Sequence, residues 1–245
     1  MDQMVFIHGP GAGGCAESFV NQLAHYPGSL APTLPGHLKG DPCPDVERYT
    51  DWVRGWLWAQ DCTQDLVLVG FTLGACIALQ YALDFPDEVK AIVLMTVSMR
   101  PKERAPGALD MRLKAAEDPA IYEEWIEFQR HAMMFIEPGL RDRLLGCHAK
   151  VGPISQYNDL VTIDRFDVRD RIYTLKPPML LIRGIDDPGA PPEYELEIHQ
   201  AVPGSRYLKM SNAGHFPTAE LPDQVNRAMD DFLESLDSQV TETAF

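Results

Sequence analysis

Short apolar runs alternate with longer amphipathic stretches along this chain, the pattern of β–α–β units that build a mostly parallel sheet. Apolar runs predict strands at 4–7, about 28–32, 65–69, 90–95, 178–183 and 205–210. Helical periodicity predicts helices at 16–25, 45–59, 74–85, 192–201 and 221–236. Between residues 101 and 172 the alternation stops. That stretch holds helical patches such as Ala120-Ile121-Tyr122-Glu123-Glu124-Trp125 and the apolar run Ala132-Met133-Met134-Phe135-Ile136, but no convincing strand. The predicted fold class is therefore α/β: a mostly parallel central sheet flanked by helices, formed by residues 1–100 and 173–245, with a helical cap inserted at 101–172. Asp237 to Phe245, polar apart from their tip, are expected to fray.

One turn carries chemistry. Gly70-Phe71-Thr72-Leu73-Gly74 joins the apolar run Leu66-Val67-Leu68-Val69 to a helical stretch beginning at Ala75. A strand, a pinched turn with glycine two residues either side of a hydroxyl side chain, then a helix has the shape of a nucleophile elbow. The glycines remove side chains that would collide in such a turn. The helix N-terminus aims free N–H groups at developing negative charge. The centre of an elbow of this kind is usually serine; here it is Thr72.

Three more loops follow predicted strands. His8-Gly9-Pro10-Gly11-Ala12-Gly13-Gly14 is a glycine-rich turn able to offer backbone N–H groups to an anion. A nucleotide-phosphate role is the weaker alternative, since neither GxGxxG spacing nor a Walker lysine is present, and a plain tight turn is the other. Gly184-Ile185-Asp186-Asp187-Pro188 places a carboxylate past a strand end, where open α/β sheets put their sites. Asp187 is the preferred acid and Asp186 the alternative; both could instead simply shape the turn. Asn212-Ala213-Gly214-His215-Phe216-Pro217 supplies a histidine. The order hydroxyl, acid, histidine at 72, 187 and 215 matches the nucleophile–acid–base order of one hydrolase class.

Taken together, these segments resemble the α/β-hydrolase superfamily over essentially the whole chain. His8-Gly9 looks like the family's oxyanion loop. Leu34-Pro35-Gly36-His37 resembles its LPGHG-type turn, and Gly70 to Gly74 its elbow. Gly184 to Pro188 and Gly214-His215 resemble its acid and histidine loops. The nearest likeness is to small bacterial carboxylesterase and C–C-bond hydrolase-like members with a helical cap. The family usually places two strands before the HG loop, so the sheet is expected to be shortened at that edge. The resemblance implies Thr72, Asp187 and His215 as catalytic residues, and Leu73, Gly9 and Gly11 as the oxyanion hole. Implied substrate contacts are His8, Phe71 and Phe216. Met133, Met134 and Phe135 are either cap core or the lining of an apolar pocket.

Two residues depart from the pattern. Threonine's extra methyl crowds the elbow and stiffens χ1, although threonine serves as a nucleophile in other scaffolds. Pro10 follows the HG pair and has no N–H to offer, leaving Gly11 or the N–H of Leu73. The expected function is a cofactor-free hydrolase of small, mainly apolar esters or related carbonyl compounds. The alternatives are a lyase or decarboxylase using His215 as acid and base, a ligand-binding or receptor-like protein on the same scaffold, and a serine enzyme in which Thr72 is a natural or engineered replacement. His37 reads as a turn residue, and Trp52 and Trp56 share a helix face as core.

Composition narrows the partners. A formal net charge of −15 argues against nucleic acid and anionic membranes, leaving a small-molecule substrate. The five cysteines include no CxxC pair and no ligand spacing for zinc, so no metal is expected. With no secretory leader evident at the N-terminus and no run of transmembrane length, the expected location is the cytoplasm.

Overall fold

The computed structural model describes residues 3–11 and 16–243, with side chains described as far as residue 238. Residues 12–15, which include part of the glycine-rich turn and Cys15, lie outside the described residues. Five strands form one parallel sheet: β1 (Gln3–Ile7), β2 (Leu66–Phe71), β3 (Val89–Met95), β4 (Met179–Gly184) and β5 (Arg206–Met210), side by side in that order. The predicted strand at about 28–32 reduces to a single bridge between Leu30 and Val5. Gly28 at positive φ and the prolines at 27, 32 and 35 leave too short a regular stretch for a ladder.

Every residue of β2 is buried, as expected of a central parallel strand covered on both faces. Its alternate side chains feed two cores. Leu66 and Leu68 join Val5 and Ile7, packing under α2 (Val46–Trp58) and α3 (Leu73–Asp84). Val67 and Val69 join Met4 and Phe6 on the opposite face, beneath α10 (Pro222–Thr243) and a 3-10 turn at Ala16–Phe19 that leads into α1 (Val20–His25). Asp45 caps α2, its carboxylate accepting the Arg48 N–H at 2.8 Å. Trp52 and Trp56 lie half-buried against the first core, while Trp58 is exposed. α8 (Glu193–Ala201) and the short α9 (Pro217–Glu220) complete the layers. α10 continues to Thr243, where fraying was expected from Asp237; Lys90 Nζ donates to Asp237 at 2.7 Å across the α10–β3 boundary.

Between β3 and β4 the chain forms α4 (Asp110–Ala115), α5 (Pro119–Ala132), α6 (Pro138–Val151) and α7 (Pro153–Arg165), with no strand among the described residues. Prolines occupy the first turns of α5, α6 and α7, where their missing N–H costs nothing. α7 is pinned to the sheet domain. Ser155 donates to the Gly36 carbonyl at 2.7 Å, and Asp159 bonds His37 Nε2 at 2.8 Å and Tyr49 OH at 3.3 Å. His37 is therefore more than a turn residue: its ring is completely buried and ties the helical segment to the Leu34–His37 turn.

Candidate active site

The elbow at the end of β2 is built as the sequence suggests. Thr72 sits at φ 50°, ψ −105°, a region a β-branched residue rarely enters. The turn is held by the Thr72 N–H donating to Met95 O at 3.0 Å and by Thr72 O accepting from Ala75 and Cys76. A Cβ on Gly70 would collide with the Gly74 carbonyl. One on Gly74 would collide with the Ile7 carbonyl at the end of β1. Both glycines are thus required by close backbone approach. Leu73 is the first residue of α3, so its N–H has no acceptor within the helix and faces the elbow apex.

The glycine-rich turn after β1 abuts the Thr72 hydroxyl: a Cβ on Gly9 would overlap Thr72 Oγ1 and lie 2.7 Å from the Phe71 ring. His8 is fully buried. Its Nε2 accepts the Leu34 N–H at 2.9 Å, so Nδ1 carries the proton and donates to the Gly9 carbonyl at 3.0 Å. Both nitrogens are spent on backbone, so His8 shapes the turn and has no ring nitrogen left to bond a substrate. Burial, reinforced by His37 nearby, holds its pKa well below the ordinary value, so the ring stays neutral.

The acid and histidine loops close on each other. Ile185 N–H donates to Met210 O and Asp186 N–H to Ala213 O, and a Cβ on Gly184 would collide with the carbonyls of Gly214 and Ala213. The geometry separates the two aspartates. Asp187 Oδ2 accepts from His215 Nδ1 at 2.8 Å, and its Oδ1 accepts the Gly189 N–H at 2.7 Å. Asp186 is exposed and accepts only the Asn212 N–H at 3.1 Å. Burial pushes the Asp187 carboxyl up, but the His215 ring and the Gly189 N–H more than offset it, leaving its pKa below the usual value. Behind this loop, Arg183 pairs with Glu195 at 2.9 Å and donates to Ala190 O at 2.5 Å; Glu195 also accepts the Thr96 N–H at 3.0 Å.

Phe71 links the two halves. Its ring borders the Gly9–Thr72 contact and meets the His215 ring edge-on, centroids 5.3 Å apart; Phe216 packs against both rings. Thr72 Oγ1 is buried and makes no hydrogen bond to any described residue. His215 is tied to Asp187 through Nδ1.

The helical segment reaches the site at two points. Phe135 lies 3.3 Å from where a Gly214 Cβ would stand, and His148 and Gln156 press on Gly11. Met133 is fully buried in the second core with Ile136 and Leu144, the cluster that also holds Phe71 and Phe216, while Met134 is exposed. Glu220, absent from the sequence expectations, reaches back from α9 to accept the Gly214 N–H at 2.6 Å. Its other oxygen is buried without a partner, and burial raises its pKa to about 7. Its place, one helical turn after the histidine loop, was the only sequence signal for it. Asp159, His148 and Gln156 gave none, because a polar residue on an amphipathic helix reads as solvent-facing.

Comparison with known proteins agrees with this layout. Residues 4–228 match the sequence profile of the Alpha/beta hydrolase family. The chain belongs to this family. A pimeloyl-[acyl-carrier protein] methyl ester esterase of Neisseria meningitidis is 27% identical, the alignment covering 96% of this chain and 94% of the relative. A thermophilic esterase from Thermogutta terrifontis superposes with a TM-score of 0.80 at 21% identity, over 96% of this chain and 90% of the other. An enol-lactonase from Burkholderia xenovorans gives a TM-score of 0.80 at 19% identity, over 96% and 92%. This hydrolase is an α/β-fold enzyme. Among its described residues no helix is long and apolar enough to cross a membrane, and no group of three or more His, Cys, Asp or Glu is placed to hold a metal ion.

Proposed function

We propose that this hydrolase cleaves small carboxylic esters through Thr72, His215 and Asp187, without a cofactor. The observation that carries the reading is the His215–Asp187 hydrogen bond of 2.8 Å on a loop whose ring shares Phe71 with the strained Thr72 elbow. His215 Nε2 takes the Thr72 hydroxyl proton as Oγ1 attacks the ester carbonyl. Asp187 fixes the Nδ1–H tautomer and stabilises the imidazolium. The Leu73 N–H and an N–H of Gly9 or Gly11 hold the oxyanion, Pro10 contributing none. The imidazolium then protonates the departing alkoxide. Water, deprotonated by the same ring, releases the acid from the acyl-threonine.

Residues 101–172 act as the cap over this centre, with Phe135, Phe71 and Phe216 giving the apolar wall. The methyl ester esterase among the relatives favours an ester over other carbonyl compounds. The test is intact-mass analysis after brief exposure to p-nitrophenyl acetate. An acyl adduct on the wild type that is lost in Thr72→Ala is expected. Turnover that survives Thr72→Ala yet needs His215 overturns the nucleophile and points to acid–base lyase chemistry. Saturable ligand binding without turnover in any variant points to a binding protein.

A further inference from the structure

A polar cluster within the helical segment stands against the oxyanion turn and is used by no step of that mechanism. Gly11, two residues beyond Gly9, has φ +69°; a Cβ there would collide with the His148 ring and lie 2.6 Å from Gln156 Nε2. His148 is 1% exposed, lies stacked on Trp125 with centroids 4.4 Å apart, and forms no hydrogen bond of good geometry from either ring nitrogen to a described residue, the Gly11 carbonyl lying nearby. Gln129 Nε2 is also buried and without a hydrogen-bond partner. Gln156 organises the group: its Oε1 accepts from Trp125 Nε1 at 2.7 Å and from Arg112 Nε at 2.9 Å, and its Nε2 donates to Gln129 Oε1 at 3.4 Å.

Arg112 is the unusual member. Its guanidinium is half-buried, yet among the described residues it forms no ion pair; besides Gln156 it donates only to Ala108 O, at 3.5 Å. Asp164, whose charge reaches Arg112, is engaged by Arg104 through Oδ2 and leaves Oδ1 buried without a hydrogen bond, so the Arg112 guanidinium feels a carboxylate but does not bond it. A neutral acceptor alone rarely accompanies a desolvated cation, least of all in a chain of net charge −15 with many carboxylates to spare. A buried donor left without an acceptor is costly, so such groups are rarely left unpaired without reason. Their concentration beside an oxyanion turn marks a place where a ligand supplies the acceptors.

We propose that Arg112, Gln129 and His148, positioned by Gln156 and Trp125, form a subsite for a carboxylate on the substrate, making half-esters of small dicarboxylic acids the preferred class. This rests on the ester-hydrolase reading above and adds to it the polarity of the far end of the substrate. A carboxylate has only acceptors, which suits a guanidinium and two N–H donors. Burial pushes the His148 pKa down to about 4, a nearby Gly11 carbonyl offsetting part of this, so the ring enters as a neutral single donor. The charge comes from Arg112, which burial lowers only to about 10.

The experiment compares p-nitrophenyl half-esters of succinic, glutaric and adipic acids with uncharged p-nitrophenyl esters of matched length, on the wild type, Arg112→Met and Arg112→Lys. Expected is a preference of about 10- to 100-fold in kcat/KM for the best half-ester, the size of one charge-assisted hydrogen bond. It should lie mainly in KM, be lost in Arg112→Met and be partly kept in Arg112→Lys, each read as the ratio of charged to uncharged ester within one variant. Equal rates on charged and uncharged esters of every length overturn the subsite while leaving the esterase intact. Should no ester be cleaved, the proposed function falls alone, because binding is read separately. Calorimetric titration with free glutarate and adipate against butyrate and hexanoate should show the dicarboxylates binding tighter to wild type than to Arg112→Met, and no difference overturns the subsite.

Discussion

Two histidine–aspartate pairs of equal length sit in opposite surroundings in this hydrolase. His215 Nδ1 meets Asp187 at 2.8 Å, and His37 Nε2 meets Asp159 at 2.8 Å. The His215 side chain keeps 23% of its surface exposed, and among the described residues only its Nδ1 has a hydrogen-bond partner. Both side chains of the second pair are at most 1% exposed, and His37 Nδ1 is tied to the Leu34 carbonyl at 3.2 Å. The first pair joins two loops at strand ends. The second joins a turn of the sheet domain to α7. The chemistry of a pair is thus set by what its remaining nitrogen faces. On the proposed mechanism the first serves Thr72, and the second is closed off as a bolt between two parts of the fold. For His37, burial works against the charge, but the Asp159 carboxylate outweighs it and raises the pKa, so the bolt is held by a retained proton.

The largest effect should come from the open pair. His215→Ala is expected to lower kcat/KM on a p-nitrophenyl ester by about 10⁴-fold or more, and Asp187→Asn by about 10⁴-fold through the wrong tautomer. Thermal melting should shift little in either, because the His215 ring is partly exposed. Steady-state rates and melting curves on the same samples check both halves. A variant that loses stability rather than rate would make the first pair structural and erase the contrast.

Breaking the closed pair should do the reverse. Asp159→Ala strands the His37 ring and removes an acceptor of Tyr49 OH in a fully buried place. Removing one partner of such a pair costs about 3–5 kcal/mol, and denaturant unfolding should register that loss. Residual kcat per folded molecule should fall far less than for His215→Ala. Unchanged stability would mean the helical segment is held by other contacts, Ser155 to Gly36 foremost.

The contrast also explains what could be read from the residue order. The open pair was legible because strand-end loops announce themselves: Gly184 and Gly214 are needed where the two loops touch, and the apolar runs before them fix the strands. Thr72 was legible for the same reason. The closed pair was not, since Asp159 lies mid-helix in α7, 122 residues from His37, and only tertiary packing turns it inward. Choosing between Asp186 and Asp187 needed the backbone direction after Gly184, which spacing alone does not give. The strand expected at 28–32 failed because a single bridge at Leu30 was enough to pass the chain along the β1 edge. Met133 and Met134 were adjacent in one apolar run, and the chain reversal between α5 and α6 sends one into the core and the other to the surface.

A smaller effect concerns the nitrogen that the open pair keeps. Thr72→Ser removes a methyl from a residue held at φ 50° and frees χ1 to carry the hydroxyl toward His215. Off-rotamer penalties of about 0.5–1.5 kcal/mol correspond to about a two- to tenfold gain in acylation rate. Single-turnover release of p-nitrophenol measures it. A slower serine variant would show that the threonine methyl positions the hydroxyl rather than hindering it.

The smallest effect is a pH dependence that the open region should show and the closed bolt should not share. Glu220 holds the Gly214 N–H beside His215, and burial raises its pKa from 4.5 to about 7. Between those values the folded protein keeps a proton that the unfolded chain has released. The associated stability is complete below pH 4.5 and is lost as the pH rises through about 7. Glu220→Gln keeps an oxygen for the Gly214 N–H and removes the charge. The variant should match the wild type near pH 4.5 and exceed it at pH 8 by about 1–2 kcal/mol, the full shift being discounted for partial exposure. Denaturant unfolding at the two pH values decides it. A constant difference between wild type and Glu220→Gln across that range would mean that Glu220 is ionised throughout, with solvent reaching the carboxylate behind the histidine loop. Asp159→Ala should leave the Glu220-dependent slope in place, because burial, the Gly214 and Phe216 backbone, His215 and Asp187 set the Glu220 shift and neither His37 nor Asp159 enters it.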